Sequence, residues 1–217
     1  MAFLARNKIR DLMNAGQLII GGDKDCVQQS SYDLRLGDEV YIVGKKAPDK
    51  LSQHDPYLNL APGQFALLTC LEEVSIPDTY MGFITLRNQF KLQGLVNISG
   101  FHVDPTYKGK LLFAVQNVGP SDVRLKYKER TFTIFFASID GSIGAPRKPG
   151  MSGIELDKVQ LLGGASVTIS KLKRDLDRLQ FIVLVYTPLV IAVILALLKL
   201  LWPNATSASP QHTPLLP

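Results

Sequence analysis

Residues 179–198 form an uninterrupted stretch without one charged side chain, dominated by Leu, Ile and Val. About 20 such residues are enough to cross the hydrocarbon core of a bilayer, whereas buried helices of soluble cores run to about 10–14. The stretch therefore divides the chain: the long N-terminal part must build its own core, and the C-terminal tail is too short to do so. Pro188 is compatible with a membrane helix, whose neighbours and side chains re-satisfy the freed backbone groups. Trp202 beside Lys199 fits an interfacial position. Lys171, Lys173, Arg174 and Arg178 precede the run and only Lys199 lies at its far end. The positive-inside bias then gives a single-pass membrane protein with its N-terminal domain in the cytoplasm. The formal net charge of +5 is concentrated partly in this basic group, which favours a membrane surface over nucleic acid as partner.

Ile169, Leu172, Leu176 and Leu179 alternate three- and four-residue spacings, and Val183, Tyr186, Val190 and Val193 continue the register. That is the a/d pattern of a coiled coil, so residues 169–202 are read as stalk and transmembrane helix, with Ser170 a candidate N-cap. The tail, 203–217, is short, rich in Pro, Ser and Thr, and expected to be disordered. Its Asn204-Ala205-Thr206 matches a glycosylation acceptor, a pattern too short to carry weight.

The N-terminal part reads differently. Arg6, Lys8, Arg10 and Asp11 interrupt any apolar leader, and Ile9, Leu12 and Met13 make one helical stripe that ends near Gly16. From Leu18 onward come short apolar runs bounded by Gly, Pro and Asp: 18–20, 31–36, 39–43, 65–71, 82–86, 110–116, 123–125 and 131–136. Many short strands with such turns predict a mainly β barrel or sandwich over residues 1–140. Residues 45–57 read as a surface excursion, and 141–168 as a Gly/Pro-rich linker. Cys26 and Cys70 are far apart and form no Cys/His cluster, so neither a disulfide scaffold nor a metal site is expected.

Within these runs, residues 99–119 concentrate the chemistry. D-P-T-Y-K-G-K-L (104–111) sets an acid on a Pro-containing turn three residues before an aromatic, then enters a strand expected to be buried. This segment resembles the third motif of the trimeric dUTPase and dCTP deaminase superfamily. S-S-Y-D-L-R-L-G (30–37) resembles its first motif, especially in the dCTP deaminase branch, and P-G-Q-F (62–65), R-N-Q (87–89) and the final strand 131–136 come after it in order. The resemblance covers roughly residues 3–140 and implies a dUTPase-like β-barrel, a homotrimer with sites between subunits, and a deoxypyrimidine nucleoside triphosphate as ligand, with Mg2+ carried by the triphosphate.

Residue by residue, the resemblance makes Asp104 the acid at the deoxyribose, which holds the attacking water in dUTPases and is the candidate catalytic residue. Tyr107 becomes the aromatic packed on the sugar. The bland reading is a turn Asp capping backbone N–H groups beside a half-buried Tyr. Arg87 matches the phosphate-binding Arg of the second motif, whose guanidinium suits bidentate phosphate contact. Asn88 and Gln89 stand where the family has Ser-Ser or Ser-Gly, with Asn88 a candidate cap for the short helix, and its second basic residue falls on Leu92 or a shifted Lys91. His102 stands where deaminases tend to carry Arg and could bond a base or a phosphate; a lone His on a strand is more often a satisfied half-buried residue. Asp33 is implied in packing and hydration, with Arg35 expected on the opposite side of the strand by alternation. No closing arm of the dUTPase kind is recognisable; 144–153, with Arg147 and Lys148, is either a phosphate-closing loop or, more simply, linker.

The sharpest departure is Ala114, ten residues after Asp104, where dCTP deaminases carry the Glu that shuttles protons. A methyl group does no acid–base work. The reading is therefore a membrane-anchored nucleotide-binding protein with deamination lost. Alternatives are a dUTPase-type hydrolase converting dUTP to dUMP and pyrophosphate, or a membrane signalling or assembly protein with an empty pocket.

Overall fold

The computed structural model describes residues 2–141, 143–144, 150–154 and 169–201, and the chain divides into two compact units, Met1–Ser170 and Lys171–Pro217. Expectations placed on Arg147, Lys148, Trp202, Asn204 and the tail lie outside the described residues, as do the side chains of Ile169 and Ser170.

The first unit opens with α1 (Arg6–Asn14), whose stripe buries Ile9 and packs Leu12 and Met13 on the core. Short strands come next: β1 (Leu18–Ile20), β2 (Ser31–Ile42), β3 (Asp49–Lys50), β4 (Tyr57–Leu60), β5 (Phe65–Cys70), β6 (Glu73–Ser75) and β7 (Tyr80–Leu86). After α2 (Asn88–Leu92) come β8 (Leu95–Asn97), β9 (His102–Val103), β10 (Lys108–Gly109), β11 (Leu112–Asn117), β12 (Val123–Lys126) and β13 (Arg130–Ser138). Every pairing is antiparallel: one sheet runs β8-β11-β5-β2-β13-β7-β9 with β3 on β2, and smaller sheets are β1-β6-β10 and β12-β4.

The large sheet curls on itself. β11 and β13 are separated in the strand order by β5 and β2, yet the Phe113 and Phe132 rings stack at 3.6 Å between centroids. That contact requires the two strands to face each other across the interior. Around it lie Tyr32, Leu34, Leu36, Leu68, Ile134 and Phe136, all inaccessible to solvent. At ~1.5–3 kcal/mol for each large apolar side chain buried, this core is the main stabilising term.

Three details differ from the sequence expectation. Runs 31–36 and 39–43 form one strand, β2, with a register shift between Leu36 and Val40. Gly37 permits that shift, because a Cβ there would sit 2.7 Å from the Cys70 carbonyl oxygen. The excursion 45–57 is not all surface: β3 pairs with β2, and Leu51 is buried in the core. The strand expected from Lys110 begins at Leu112 and alternates, burying Phe113, Val115 and Asn117 and leaving Leu112, Ala114 and Gln116 half-buried.

In the second unit, α3 (Ile169–Leu201) is one helix with Pro188 inside it. Within Arg174–Leu201, an 18-residue window reaches a mean hydropathy of 2.9 with none of it buried, so the helix is long and apolar enough to cross a membrane.

Candidate functional site

β7 ends at Leu86 and hands the chain to α2 through Arg87, which sits at the N-cap in extended geometry. Arg87, not Asn88, occupies the cap position, and no side chain caps this helix; Asn88 is its first residue. Phe90, buried, anchors the helix, while the Arg87 N–H donates to the Thr131 carbonyl at 3.0 Å and ties the turn to β13. The Arg87 Nε lies 3.5 Å from a carboxylate oxygen of Asp33, which is buried on β2 and accepts a 2.9 Å hydrogen bond from the Thr133 hydroxyl at its other oxygen. A guanidinium has five donors in a fixed fork. Held at its Nε edge, Arg87 keeps both Nη groups, which have no other partner among the described residues, for an oxyanion. The Gln89 side chain reaches toward Glu129 at 3.5 Å.

The other candidates gather at the opposite end of β7. β9 pairs with it so that His102 faces Phe83 and Val103 faces Gly82. His102 Nε2 is 3.4 Å from an Asp104 carboxylate oxygen, both side chains being roughly half exposed. The chain then turns: the Tyr107 N–H donates to the Asp104 carbonyl at 3.3 Å across Pro105 and Thr106. Thr106 has φ +67°, the left-handed region that a type II turn demands at its third residue and that a β-branched side chain adopts only under strain. It is buried, and its N–H donates to the Ile76 carbonyl at 3.1 Å, which holds it there.

Tyr107 packs on the core and donates its hydroxyl to the Lys110 carbonyl at 2.6 Å. Burial pushes its phenol pKa up, so it stays a neutral donor. Residues 150–154, part of the stretch expected to be linker, dock here. The Met151 N–H points at the Tyr107 hydroxyl at 3.5 Å, the Lys110 N–H donates to the Met151 carbonyl at 2.8 Å, and the Gly150 N–H to the Lys108 carbonyl at 2.7 Å. Gly109 and Gly150 meet backbone to backbone: a Cβ on Gly150 would lie 2.3 Å from the Lys108 carbonyl oxygen.

The candidate residues thus fall into two separate groups. His102, Asp104 and Tyr107 are together; Arg87, Asn88 and Gln89 are elsewhere. His102 faces Phe83, four residues before Arg87, which at ~3.3 Å per strand residue puts it about 13 Å from Arg87 along β7, with Asp104 farther still. Ala114 belongs to neither group: its side chain joins an apolar cluster with Tyr41, Leu67, Phe65 and Ile154.

Asp33 and Arg35 do turn to different neighbours, though not by alternation, which sets residues two apart on one face. Arg35 donates from Nε to Glu72 at 2.6 Å and from its backbone N–H to the other Glu72 oxygen at 3.0 Å. The Tyr32 hydroxyl also donates to Glu72, at 3.1 Å, and accepts from the Asp23 N–H at 2.9 Å. Burial, then the Glu72 charge, pushes the Tyr32 pKa up. Glu72 is 1% exposed and was missed in the sequence, where Leu-Glu-Glu-Val reads as the polar end of a strand. Its only sequence signal is an acid directly abutting the apolar run of β5.

Comparison with known proteins gives the family and the fold. The family described as dCTP deaminase-like matches residues 3–139. The dCTP deaminase of Thermococcus kodakarensis is 33% identical over 130 residues, covering 60% of this chain and 81% of the relative. The dUMP-forming dCTP deaminase of Methanosphaera stadtmanae is 25% identical over 197 residues, covering 82% and 97%. Among solved structures, the 2'-deoxycytidine 5'-triphosphate deaminase of Agrobacterium tumefaciens superposes with a TM-score of 0.54 at 20% identity, over 62% of this chain and 48% of that one, about half its length. With the curled antiparallel sheet, the ordered motifs and a match over more than half the chain, this chain belongs to the dCTP deaminase-like family.

Proposed function

We propose that the chain is a membrane-anchored protein whose β domain binds a deoxypyrimidine nucleoside triphosphate without deaminating it. The observation that supports binding is Arg87, fixed through Nε by buried Asp33 with its two Nη groups directed to no other described partner. Loss of deamination rests on Ala114, whose methyl group does no acid–base work and which packs in an apolar cluster with Tyr41 and Leu67. Mg2+ enters with the triphosphate, because Asp33, the carboxylate beside Arg87, is already committed to Arg87 and Thr133. When bound, the ion neutralises charge on the phosphate oxygens.

Because Arg87 and Asp104 stand too far apart in one chain to grip the same small phosphate-sugar unit, the complete site is shared between copies of a homotrimer. Phe3 and Phe101, both largely exposed, form an aromatic face with Phe83 and Phe135, their ring centroids 6.0–6.3 Å apart, which a neighbouring copy would cover. α3 anchors the assembly in a bilayer, with the β domain on the cytoplasmic side.

Full-length chain in detergent, mixed with dCTP, dUTP and Mg2+, tests this when ammonia, pyrophosphate and binding are monitored separately. Binding without ammonia is expected; ammonia release at an ordinary enzymatic rate would overturn the reading. The half-exposed Asp104 beside His102 favours a second reading, dUTPase-type hydrolysis, since that pair is placed to hold and polarise a water. Pyrophosphate without ammonia selects it, and absence of any nucleotide binding selects an assembly or signalling role.

A further inference from the structure

On the far side of β1 from the third motif lies an open cavity of about 420 Å³, bounded by the end of α1, by β1 and by the turn at Lys24. None of the nucleotide-site candidates lines it. Its volume falls within the roughly 300–1,000 Å³ of small-molecule sites. The floor is apolar, made by Met13, Ile19 and Ile20. Two cations, Arg10 and Lys24, stand exposed on its rim, and the lining contains no carboxylate. Among the described residues neither cation has an ion-pair partner.

Of the acids adjacent in sequence, neither Asp11 nor Asp25 forms an ion pair with Arg10 or Lys24 among the described residues. Asp23 is engaged by the Asp25 N–H at 2.9 Å and lies 3.8 Å from Arg35. The negative end of α1 also faces this side, which would repel an anion. Its terminal carbonyls are already used, however: Asp11, Leu12 and Met13 accept from the backbone N–H groups of Ala15, Gln17 and Gly16 at 3.1, 2.8 and 3.0 Å. The result is an apolar floor under two positive charges without an ion-pair partner among the described residues.

We propose that this cavity is a second ligand site, for a compact apolar molecule bearing one carboxylate or phosphate, its body on Met13, Ile19 and Ile20 and its charge at Arg10 and Lys24.

The test uses full-length chain in lipid nanodiscs, titrated calorimetrically with 2-naphthoate and with its neutral isostere 2-naphthamide, empty discs being subtracted. Saturable binding of one naphthoate per chain is expected, about tenfold tighter than the amide, as two exposed charge contacts would give. Arg10→Gln with Lys24→Gln should erase that preference while still binding the amide, and Met13→Trp, which fills the floor, should abolish both. Absence of saturable binding, an undiminished carboxylate preference in the double variant, or displacement of naphthoate by dUTP would each overturn the proposal. Displacement by dUTP would assign the cavity to the nucleotide instead, whereas failure of dUTP to bind anywhere leaves the naphthoate result standing.

Discussion

Arg87 reaches back along Nε to Asp33, 3.5 Å away on a neighbouring part of the sheet, so a buried acid positions the guanidinium proposed to bind the triphosphate. Arg87→Ala should lower triphosphate affinity at least tenfold, by removing charge-assisted contacts worth about 1.5–3 kcal/mol. Arg87→Lys should recover little, since an ammonium cannot hold Asp33 and present a fork together. Asp33→Asn should weaken binding less, through loss of orientation. Calorimetric titration with dUTP distinguishes the three; equal affinity in all would refute the assignment of Arg87.

A site divided between copies predicts complementation. Arg87→Ala and Asp104→Asn chains should each bind nucleotide poorly, whereas subunits exchanged between them should regain about one quarter of wild-type sites by random assembly of a symmetric ring. No recovery after verified exchange would show that each chain builds its site alone.

Stalk contacts give another test of assembly. Leu172 and Leu176 are exposed in the single chain. Replacing both by Asp should loosen the full-length oligomer in detergent without melting the β domain, because so short a helical stalk is marginal alone and only adds to trimerisation. Light scattering that finds the variant oligomer unchanged would remove the coiled-coil reading.

Restoring the acid at position 114 should not restore deamination. Ala114→Glu would put a carboxylate among Tyr41, Leu67, Phe65 and Ile154, with an expected stability loss of about 1–3 kcal/mol for an uncompensated polar group. Ammonia release by this variant, absent in wild type, would show instead that the surrounding machinery is intact and only the shuttle is missing.

Stability should fall on the alkaline side. Burial pushes the Cys70 thiol up to about 12, and burial with the Glu72 charge raises Tyr32. In the unfolded chain these groups lose protons near their ordinary values of 9.0 and 10.0, so above pH 9 the unfolded state binds fewer protons than the native one. Their contribution is complete below about pH 9 and is lost as pH rises toward 12, with a slope of about 1.4 kcal/mol per pH unit for each group. Urea midpoints at rising pH should show this, and Cys70→Ala should flatten the slope.

Length decided what could be read in advance. β5, β7 and β13 are six to nine residues long and repeat their apolar pattern often enough to be seen. β9 and β10, two residues each, have no period to detect and exist because β7 and β6 offer them partners. The motif residues Arg87, Asp104 and Tyr107 were legible through resemblance. The resemblance also implied sites between subunits, but the distance between Arg87 and Asp104 within one chain was not legible, since it arises from how β9 registers on β7. Glu72 was hidden for a related reason: its partners Tyr32 and Arg35 are 40 and 37 residues away, and only the curl of the sheet brings them to it.

The close backbone meeting of Gly109 and Gly150 bears on where the domain can be cut. A fragment ended just after β13 would keep every described strand yet lose the residues that lie on Tyr107 and bridge Lys110. If the proposed site lies at Tyr107, such a fragment should bind nucleotide more weakly than one that keeps these contacts. Truncations should therefore extend through residue 154, where the Ile154 N–H bonds Glu39 at 2.8 Å. The same contact makes two glycines 41 positions apart a single heritable unit: neither has space to drift to alanine while the other's backbone stays in place.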